Sequence, residues 1–482
     1  MRKNLVKNFA YNTMYQILVL ITPLITTPYV SRVLGVTNIG NYQYCQSIAG
    51  YFVLIANVGT SIYGQREIAY LQDNREKYSI AFWEIELFRV AATFICVIAY
   101  FFVFCIDSKN SNIYTILMIE VVATAFDISW FFMGLEYFKI TVIRNTIIKI
   151  TGVISVFVFV RDKEDLWLYT LCVTAPIFIG NISLWFSVNK YLAKTGITLL
   201  DIIYGISKRI KSIFALFLPQ IAADIYLLLD KTMIGIMGSN IDEVGYYSQG
   251  QKIIKLILMI VTSLGTVMLP AMSAMFIKKD YEGIKQHIQT AFKFIYLLSF
   301  PMLFGICAVA PRFVPAFFGD GYQPVIKLMI VISPILVIIA TSNVIGKQFL
   351  LPTNQQKAFT ISIITGACTN FVFNLALIPL LDAVGASIAT VIAELMVAFV
   401  QYMYARKQLP LKQFIFGGAK YFFMGLIMFL CCKGIDLLLP VNNIIGLLIE
   451  IVVGVCVYFI ELLVFRDSMV INILEKIKKK II

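Results

Sequence analysis

Charged residues are scarce in this chain. Only 14% of its 482 residues are Asp, Glu, Lys or Arg, whereas hydrophobic residues make up 60%. A soluble protein usually carries about 25% charged and 45–50% apolar residues. The apolar runs here reach roughly 20 residues, the length that a helix needs to cross about 30 Å of hydrocarbon. These proportions exclude an ordinary soluble domain and predict an all-α, polytopic membrane protein.

Histidine is almost absent, because His287 is the only one. A catalytic triad built on histidine and a metal site with several histidines are therefore excluded. The nine cysteines lie mostly in apolar runs, and their spacing suggests neither a disulfide framework nor a zinc site. No Walker motif is present, so direct use of ATP is not expected. We predict a protein that is not an enzyme and that needs no cofactor or metal.

The hydropathy pattern predicts about fourteen membrane-spanning helices, near 10–34, 42–64, 80–105, 112–134, 143–160, 165–188, 212–237, 248–273, 289–311, 324–347, 357–380, 384–405, 414–435 and 443–465. They form two pseudo-symmetric six-helix lobes, followed by two further helices at the C-terminal end. The predicted domains are an N-terminal lobe, a basic cytoplasmic linker, a C-terminal lobe, and the two extra helices with a basic cytoplasmic tail: 1–188, 189–211, 212–405 and 406–482.

Lysine and arginine alternate between the two sides of the predicted membrane. Every second connection is basic, from Arg2 and Lys3 at the start to Lys476 near the end, while outer connections hold only a few cations such as Arg312 and Lys433. Cytoplasmic loops carry an excess of Lys and Arg. The pattern predicts that both termini are cytoplasmic, and it explains the net charge of +13 without any nucleic-acid partner.

A short motif occurs twice. Gly40-x-Tyr42-x-x-x-Gln46-x-Ile48 returns as Gly245-x-Tyr247-x-x-x-Gln251-x-Ile253, about 205 residues further on. The two copies follow the predicted first and seventh spans. Because six is an even number of spans, the repeats would run parallel, related by an axis along the membrane normal.

Charged residues inside predicted spans are the candidate functional residues, because charge at membrane depth is costly and usually lines a cavity. We expect cations to bind a phosphate-bearing substrate and carboxylates to couple transport to an ion. The predicted cationic cavity comprises Arg32, Arg89, Lys149, Lys231, Lys252 and Lys255, and the predicted ion-coupling carboxylates are Asp224, Glu120 and Asp127.

Simpler roles compete with these assignments. Glu86 and Arg89 are three residues apart on one helix face and could form a static buried pair. Arg32, Lys252 and Lys255 could instead extend to the membrane interface. Asp127 and Lys149 lie at similar predicted depth on neighbouring helices, so they are a second candidate pair.

Three segments resemble the polysaccharide-transporter family. They are Thr27-Pro28-Tyr29-Val30-Ser31-Arg32-Val33-Leu34-Gly35, Tyr63-Gly64-Gln65-Arg66-Glu67-Ile68-Ala69 and Asp230-Lys231-Thr232-Met233-Ile234-Gly235. That family includes the Wzx-type O-antigen flippases and belongs to the multidrug/oligosaccharidyl-lipid/polysaccharide exporter superfamily.

The resemblance implies a flippase in the bacterial cytoplasmic (inner) membrane. Its cargo would be a polyprenyl-diphosphate-linked oligosaccharide used for O-antigen (lipopolysaccharide), capsule or exopolysaccharide biosynthesis, moved by alternating access of two lobes around a central cavity. Arg32 matches the family's first-span arginine. A polysaccharide polymerase and glycosyltransferases are the expected protein partners.

Three alternatives remain open from the sequence. A drug/cation antiporter of the same superfamily should have a more acidic cavity and usually about twelve spans. A peptidoglycan-precursor flippase would share the mechanism but not the glycan. A membrane-bound polymerase or glycosyltransferase would need a sizeable loop outside the membrane, which the short connections do not provide.

Overall fold

The computed structural model describes residues 2–106, 108–194, 196, 198–438, 444–471 and 475. For residues 2–13, 199, 215–216, 218–223, 226–227 and 263–271 it describes the backbone alone. Within this described part the chain contains helices and no strand, which confirms the all-α prediction. Lys476 and the rest of the basic tail lie outside the described residues.

The helices are numbered α1 to α16 in chain order. Their bounds are Arg2–Asn57, Thr60–Leu71, Arg75–Tyr100, Ser111–Thr124, Ser129–Gly134, Phe138–Phe159, Leu166–Val188, Leu199–Met237, Asp242–Ile277, Tyr281–Phe318, Pro324–Ile332, Ile335–Ile345, Gln356–Ala405, Leu411–Phe416, Ala419–Leu438 and Ile444–Val464.

Two helices are far longer than one membrane crossing requires. Helices α1 and α13 have 56 and 50 residues, and each contains one residue with a non-helical backbone. Gly35 has φ 74° in α1, and Asp382 has φ 51° in α13. Both lie in the left-handed region, which redirects the chain. Each kink falls between two predicted spans, as expected if each long helix crosses the membrane twice.

Ten helical stretches in the described part are long and apolar enough to span a membrane. The stretches that contain the kinked helices α1 and α13 are counted once each. Helices α8 and α9, of 39 and 36 residues, contain the predicted spans at 212–237 and 248–273. A polytopic membrane fold is therefore established, and the exact number of fourteen crossings stays a prediction.

The chain divides into two compact units. Unit 1 comprises Met1–Ile236 and Asn240–Gly245, and unit 2 comprises Met237–Ser239 and Tyr246–Ile482. In unit 1, α1 packs on α3, α4 and α6, and α7 packs on α4 and α6. An aromatic cluster lies in its core, where the ring of Phe82 is 4.9 Å from that of Phe131 and 5.7 Å from that of Trp130.

The two copies of the repeated motif pack against each other at their glycines, within unit 1. A Cβ atom added at Gly40 would lie 2.2 Å from the carbonyl oxygen of Ile241, and one added at Gly245 would lie 2.6 Å from that of Val36. The contact is reciprocal, since each glycine meets the carbonyl four residues before the other. Only glycine permits this approach of two backbones.

In unit 2 the C-terminal helices α15 and α16 pack on α10. Ion pairs join the three helices: Arg312 on α10 is 2.6 Å from Asp436 and 3.6 Å from Glu450, and Lys433 is 3.0 Å from Asp436. The pattern predicted Arg312 in an outer loop, and this placement is wrong. Arg312 lies within α10 and is 6% exposed, because the carboxylates of the added helices neutralise it there.

Asp467 follows the end of α16 and binds two residues of α15. Its carboxylate accepts hydrogen bonds from Lys420 and from the hydroxyl of Tyr421, the latter at 2.8 Å. Burial raises the pKa of Asp467, but these hydrogen bonds outweigh it and hold the pKa below its ordinary value. A depressed pKa stabilises the fold above the unfolded value of about 3.9, and the stabilisation is lost as the pH falls through the folded pKa.

Candidate substrate site

The fourth predicted span is broken, and side chains from other helices satisfy its backbone. Helix α4 ends at Thr124 and α5 begins at Ser129. Asn181 donates to the carbonyl of Ala123 at 2.8 Å, and Trp185 donates to the carbonyl of Phe126 at 3.0 Å. Non-helical backbone at membrane depth persists only where such partners are present. The break is therefore a built feature of unit 1.

Arg89 on α3 is fully buried beside this break. Its guanidinium donates to Thr60 Oγ1 at 2.8 Å, to Asn57 Oδ1 at 3.0 Å, to Ser61 Oγ at 2.6 Å and to the carbonyl of Asp127. Its charge also lies 5.9 Å from the ring centre of Trp130. Arg89 thereby ties α3 to α1, to α2 and to the broken span through four neutral acceptors.

The candidate pair between Glu86 and Arg89 is not formed. No nitrogen of Arg89 comes within 4.0 Å of Glu86 in the described structure, and neither carboxylate oxygen of Glu86 has a hydrogen-bond partner there. Three residues of spacing put both side chains on one face, but the donors of Arg89 bond instead to acceptors on α1, on α2 and after α4.

Asp127 pairs with Arg144 and not with Lys149. The Arg144–Asp127 distance is 3.7 Å, and Arg144 also donates to Asn181 Oδ1 at 2.5 Å. Lys149 is half-buried on α6, and the described residues offer it no carboxylate within 4.0 Å. The sequence predicts Arg144 on the cytoplasmic side, but α6 begins at Phe138, so Arg144 lies nearly two turns into the helix. The signal in the sequence was Asp127, whose predicted depth is similar and which calls for a cation nearby.

Glu120 occupies a separate position on α4. Its side chain is half-buried, and Oε2 has no hydrogen-bond partner in the described part of the chain. Asp224 is half-buried on α8. The structure does not gather the three predicted ion-coupling carboxylates into one cluster around a shared cation, because Asp127 is engaged by Arg144.

Lys231 on α8 donates to Gln43 Oε1 on α1 at 2.7 Å, within unit 1. One residue further on, the hydroxyl of Thr232 is 2.9 Å from that of Ser47. The neighbouring Asp230 is buried. Polar side chains of α8 thus contact polar side chains of α1 that lie in or next to the first copy of the repeated motif.

Arg32 is exposed near the kink of α1. It lines a cavity of about 780 Å³ together with the connection between α6 and α7, which includes Arg161, Asp162 and Lys163. Tyr29 and Asn38 hold this connection, since they donate to the carbonyls of Val160 and Lys163, both at 2.6 Å. Arg32 therefore lies at the predicted outer rim of unit 1.

The predicted cations of unit 2 both lie on α9. Lys252 is half-buried and donates to Gln249 Oε1 at 3.0 Å, while Lys255 is exposed. Gln249 is itself buried, as is Ser248 beside it. A polar stretch therefore runs along the first half of α9, starting within the second copy of the repeat.

Arg209 is a functional-site candidate that the sequence pattern assigns only to the basic linker. The chain is helical from Leu199, and Arg209 on α8 bonds to Glu67, to Glu84 Oε2 at 2.6 Å and to the hydroxyl of Tyr63 at 3.2 Å. The carboxylates come from α2 and α3. Arg209 thus fastens the start of α8 to the rest of unit 1.

No metal centre emerges from the described residues: His, Cys, Asp and Glu nowhere form a group of three or more that could hold an ion. What these helices present instead is a set of cations and amides at membrane depth. Such groups suit an anionic ligand better than a cationic one, because charge-assisted hydrogen bonds from Lys and Arg to phosphate are strong.

A family described as polysaccharide biosynthesis protein matches residues 5–276, more than half of the chain. The chain is also 22% identical over 398 residues to a protein of Escherichia coli (strain K12) named "Putative O-antigen transporter", covering 80% of this chain and 92% of that relative.

Two solved structures share the fold. Lipid II flippase MurJ in an inward closed conformation aligns with a TM-score of 0.76 and 17% identity, over 95% of this chain and 100% of that one. An inward-facing multidrug resistance MATE family transporter of the MOP superfamily aligns with a TM-score of 0.60 and 12% identity, over 80% and 93%. At such identities the likeness establishes the fold alone.

Proposed function

The chain belongs to the polysaccharide biosynthesis protein family, and from this membership we propose that it is a flippase for a polyprenyl-diphosphate-linked oligosaccharide. The cargo would cross the cytoplasmic membrane by alternating access and supply the assembly of a surface polysaccharide. The observation that carries the proposal is the family match together with the relative from Escherichia coli, which aligns over nearly its whole length.

The cations on the membrane helices support an anionic cargo. We propose that Lys231, Lys252 and Lys255 bind the diphosphate, with Lys149 and Arg32 guiding it at other depths. A lysine held at membrane depth is costly unless it meets a counter-charge or a polar partner. The amide oxygens of Gln43 and Gln249 are such polar partners, and they accept hydrogen bonds from Lys231 and Lys252.

Arg89 is the exception among the predicted cations. Its donors already bond to four acceptors of unit 1, so we propose that it holds the broken span in place. We propose that Asp224, Glu120 and Asp127 couple transport to an ion, and Asp127 among them lies 3.7 Å from Arg144.

The remaining features follow from the same function. We propose that both termini lie in the cytoplasm, that the two six-helix lobes predicted at 1–188 and 212–405 rock against each other, and that a polymerase and glycosyltransferases act before or after the transfer. A transporter of this family makes no covalent change to its cargo, so we expect no catalytic activity.

The alternatives predict different cargo. A drug/cation antiporter would favour acidic side chains at depth, whereas α9 of this chain presents two lysines three residues apart. The likeness to Lipid II flippase MurJ concerns the fold, and the relative of that name in Bacillus subtilis (strain 168) aligns with only 31% of this chain at 26% identity. A surface-polysaccharide unit is therefore the favoured cargo over a peptidoglycan precursor.

A deletion in the source bacterium tests the proposal. Without the gene, lipid-linked oligosaccharide should accumulate on the cytoplasmic side and the surface polysaccharide should disappear. The wild-type gene should restore it, and a Lys252→Gln/Lys255→Gln variant that is inserted normally should not. Normal surface polysaccharide in the deletion strain, with loss of drug resistance or of peptidoglycan synthesis instead, would overturn the proposal in favour of an alternative.

A further inference from the structure

An apolar groove runs between α6 and α7 in unit 1. Its volume is about 860 Å³, within the range of pockets that hold small molecules. Along α6 it is lined from Lys139 to Phe159, and along α7 from Leu168 to Ser187. The helices touch at its floor, where the position of a Cβ at Gly180 lies 2.1 Å from Ile148 Cδ1. None of the candidate residues predicted from the sequence lines it.

The length of the groove limits what it can hold. Lys139 and Phe159 are twenty residues apart on one helix, which corresponds to about 30 Å at 1.5 Å per residue. That is the full thickness of the hydrocarbon core, about 30 Å. An acyl chain of an ordinary phospholipid covers only one leaflet, about half of this distance. A lipid tail that fills the groove must be longer than a phospholipid acyl chain.

The charged residues that line the groove, Lys139 and Arg144, lie toward one of its two ends. Lys139 is exposed and has no carboxylate within 4.0 Å among the described residues. Arg144 follows it, and its Nε is buried without a hydrogen-bond acceptor in the described structure. Asp127 offsets part of the charge of Arg144 at 3.7 Å, which leaves a net positive end. The other end is lined by Phe159 and Leu168, and Arg161 beyond it lines the separate cavity of Arg32.

We propose that this groove holds the polyprenyl tail of the cargo, with the diphosphate near Lys139 and Arg144 as the cargo enters and before the head reaches Lys231, Lys252 and Lys255. The inference rests on the proposed function, since it assigns a place to the tail of that cargo. One long apolar chain with one anionic head matches a groove that crosses the membrane and is positive at a single end. Two anionic phospholipids, one from each leaflet, would need a second cationic end. The groove would keep the tail in an apolar environment while the head moves.

Photocrosslinking tests the groove with the full-length protein in phosphatidylethanolamine–phosphatidylglycerol vesicles. The probe is a polyprenyl-diphosphate-linked sugar with a diazirine in its isoprenoid chain, and adducts are mapped by mass spectrometry. We expect adducts on the groove faces of α6 and α7 that unlabelled polyprenyl diphosphate removes and excess phosphatidylglycerol does not. Adducts only elsewhere, or equal competition by phosphatidylglycerol, would overturn the inference.

Two pairs of variants sharpen the test. Thr151→Trp fills the groove, and its matched control Ile150→Trp changes the neighbouring exposed residue, which does not line the groove. Displacing even two buried CH₂ groups weakens binding about tenfold, so Thr151→Trp should reduce the adducts by that factor. Lys139→Gln should also reduce them, and Lys194→Gln should not. If the control variants lose the adducts as strongly as the groove variants do, the groove is not the binding site.

Transport in the same vesicles separates this inference from the proposed function. If the wild-type protein moves the cargo but no adduct falls in the groove, the groove inference fails and the flippase proposal stands. If the wild-type protein does not move the cargo at all, the flippase proposal fails and the groove assignment fails with it. The wild-type adduct map decides the question even if Thr151→Trp does not fold.

Discussion

Replacing Arg89 by methionine should destabilise unit 1 strongly. The change keeps a side chain of similar length but removes every donor to Thr60, Ser61, Asn57 and the carbonyl of Asp127. A hydrogen bond from a charged donor contributes about 1.5–3 kcal/mol, and the four share one guanidinium, so they do not add fully. Each buried acceptor that is left without a donor costs about 1–3 kcal/mol. We expect a loss of about 4 kcal/mol for the variant.

The measurement is SDS-induced unfolding of the purified protein in mixed micelles, followed by circular dichroism and tryptophan fluorescence. Arg89→Lys should lose about half as much, because one ammonium cannot reach all four acceptors. The control Arg66→Met changes an exposed arginine and should stay within about 0.5 kcal/mol of the wild type. An Arg89→Met protein as stable as the wild type, but without transport, would refute the structural role and return Arg89 to cargo binding.

Three further predictions concern the other contacts described above. Gly40→Ala forces a Cβ against a backbone carbonyl and should cost about 1–3 kcal/mol in the same unfolding assay, whereas Gly196→Ala, with open space around it, should cost far less. An equal effect of the two would contradict the close approach. Arg209→Gln should cost about 2 kcal/mol and make the start of α8 more sensitive to protease, and Lys208→Gln should change neither. Asp467→Asn should lower the melting temperature at pH 7, and its difference from the wild type should shrink below about pH 4. A difference that stays constant from pH 7 to pH 3 would show that the charge of Asp467 does not matter.

The sequence predicts the membrane helices well because hydropathy over twenty residues is a strong signal. The predicted spans at 143–160 and 165–188 correspond closely to α6 and α7, whose ends are Phe138, Phe159, Leu166 and Val188. The family was also predicted correctly from its short motifs, as the family match establishes. The first five residues of α6 were missed because they include Lys139, which lowers the hydropathy of the window there.

The partners of the charged residues could not be predicted, because they come from helices distant in sequence. Spacing places Glu86 near Arg89, but the acceptors that Arg89 uses lie about 30 residues away or more. Lys149 was a reasonable partner for Asp127 by depth, yet the rotation of α6 turns Arg144 toward it. Periodicity gives the faces of one helix and leaves open which neighbour each face meets. The repeated glycines at 40 and 245 were visible, but their reciprocal backbone contact was not.

Transfer of cargo by the purified protein in proteoliposomes tests the central claim most directly. A polyprenyl-diphosphate-linked oligosaccharide is placed in both leaflets, and a membrane-impermeant glycosidase added outside reports which molecules reach the outer surface. We predict that the wild-type protein exposes nearly all of the cargo, and that Lys252→Gln/Lys255→Gln protein of normal stability leaves about half protected. Equal exposure by the lysine variant would contradict the role of membrane-embedded cations, and protection of half the cargo by the wild type would contradict the flippase itself.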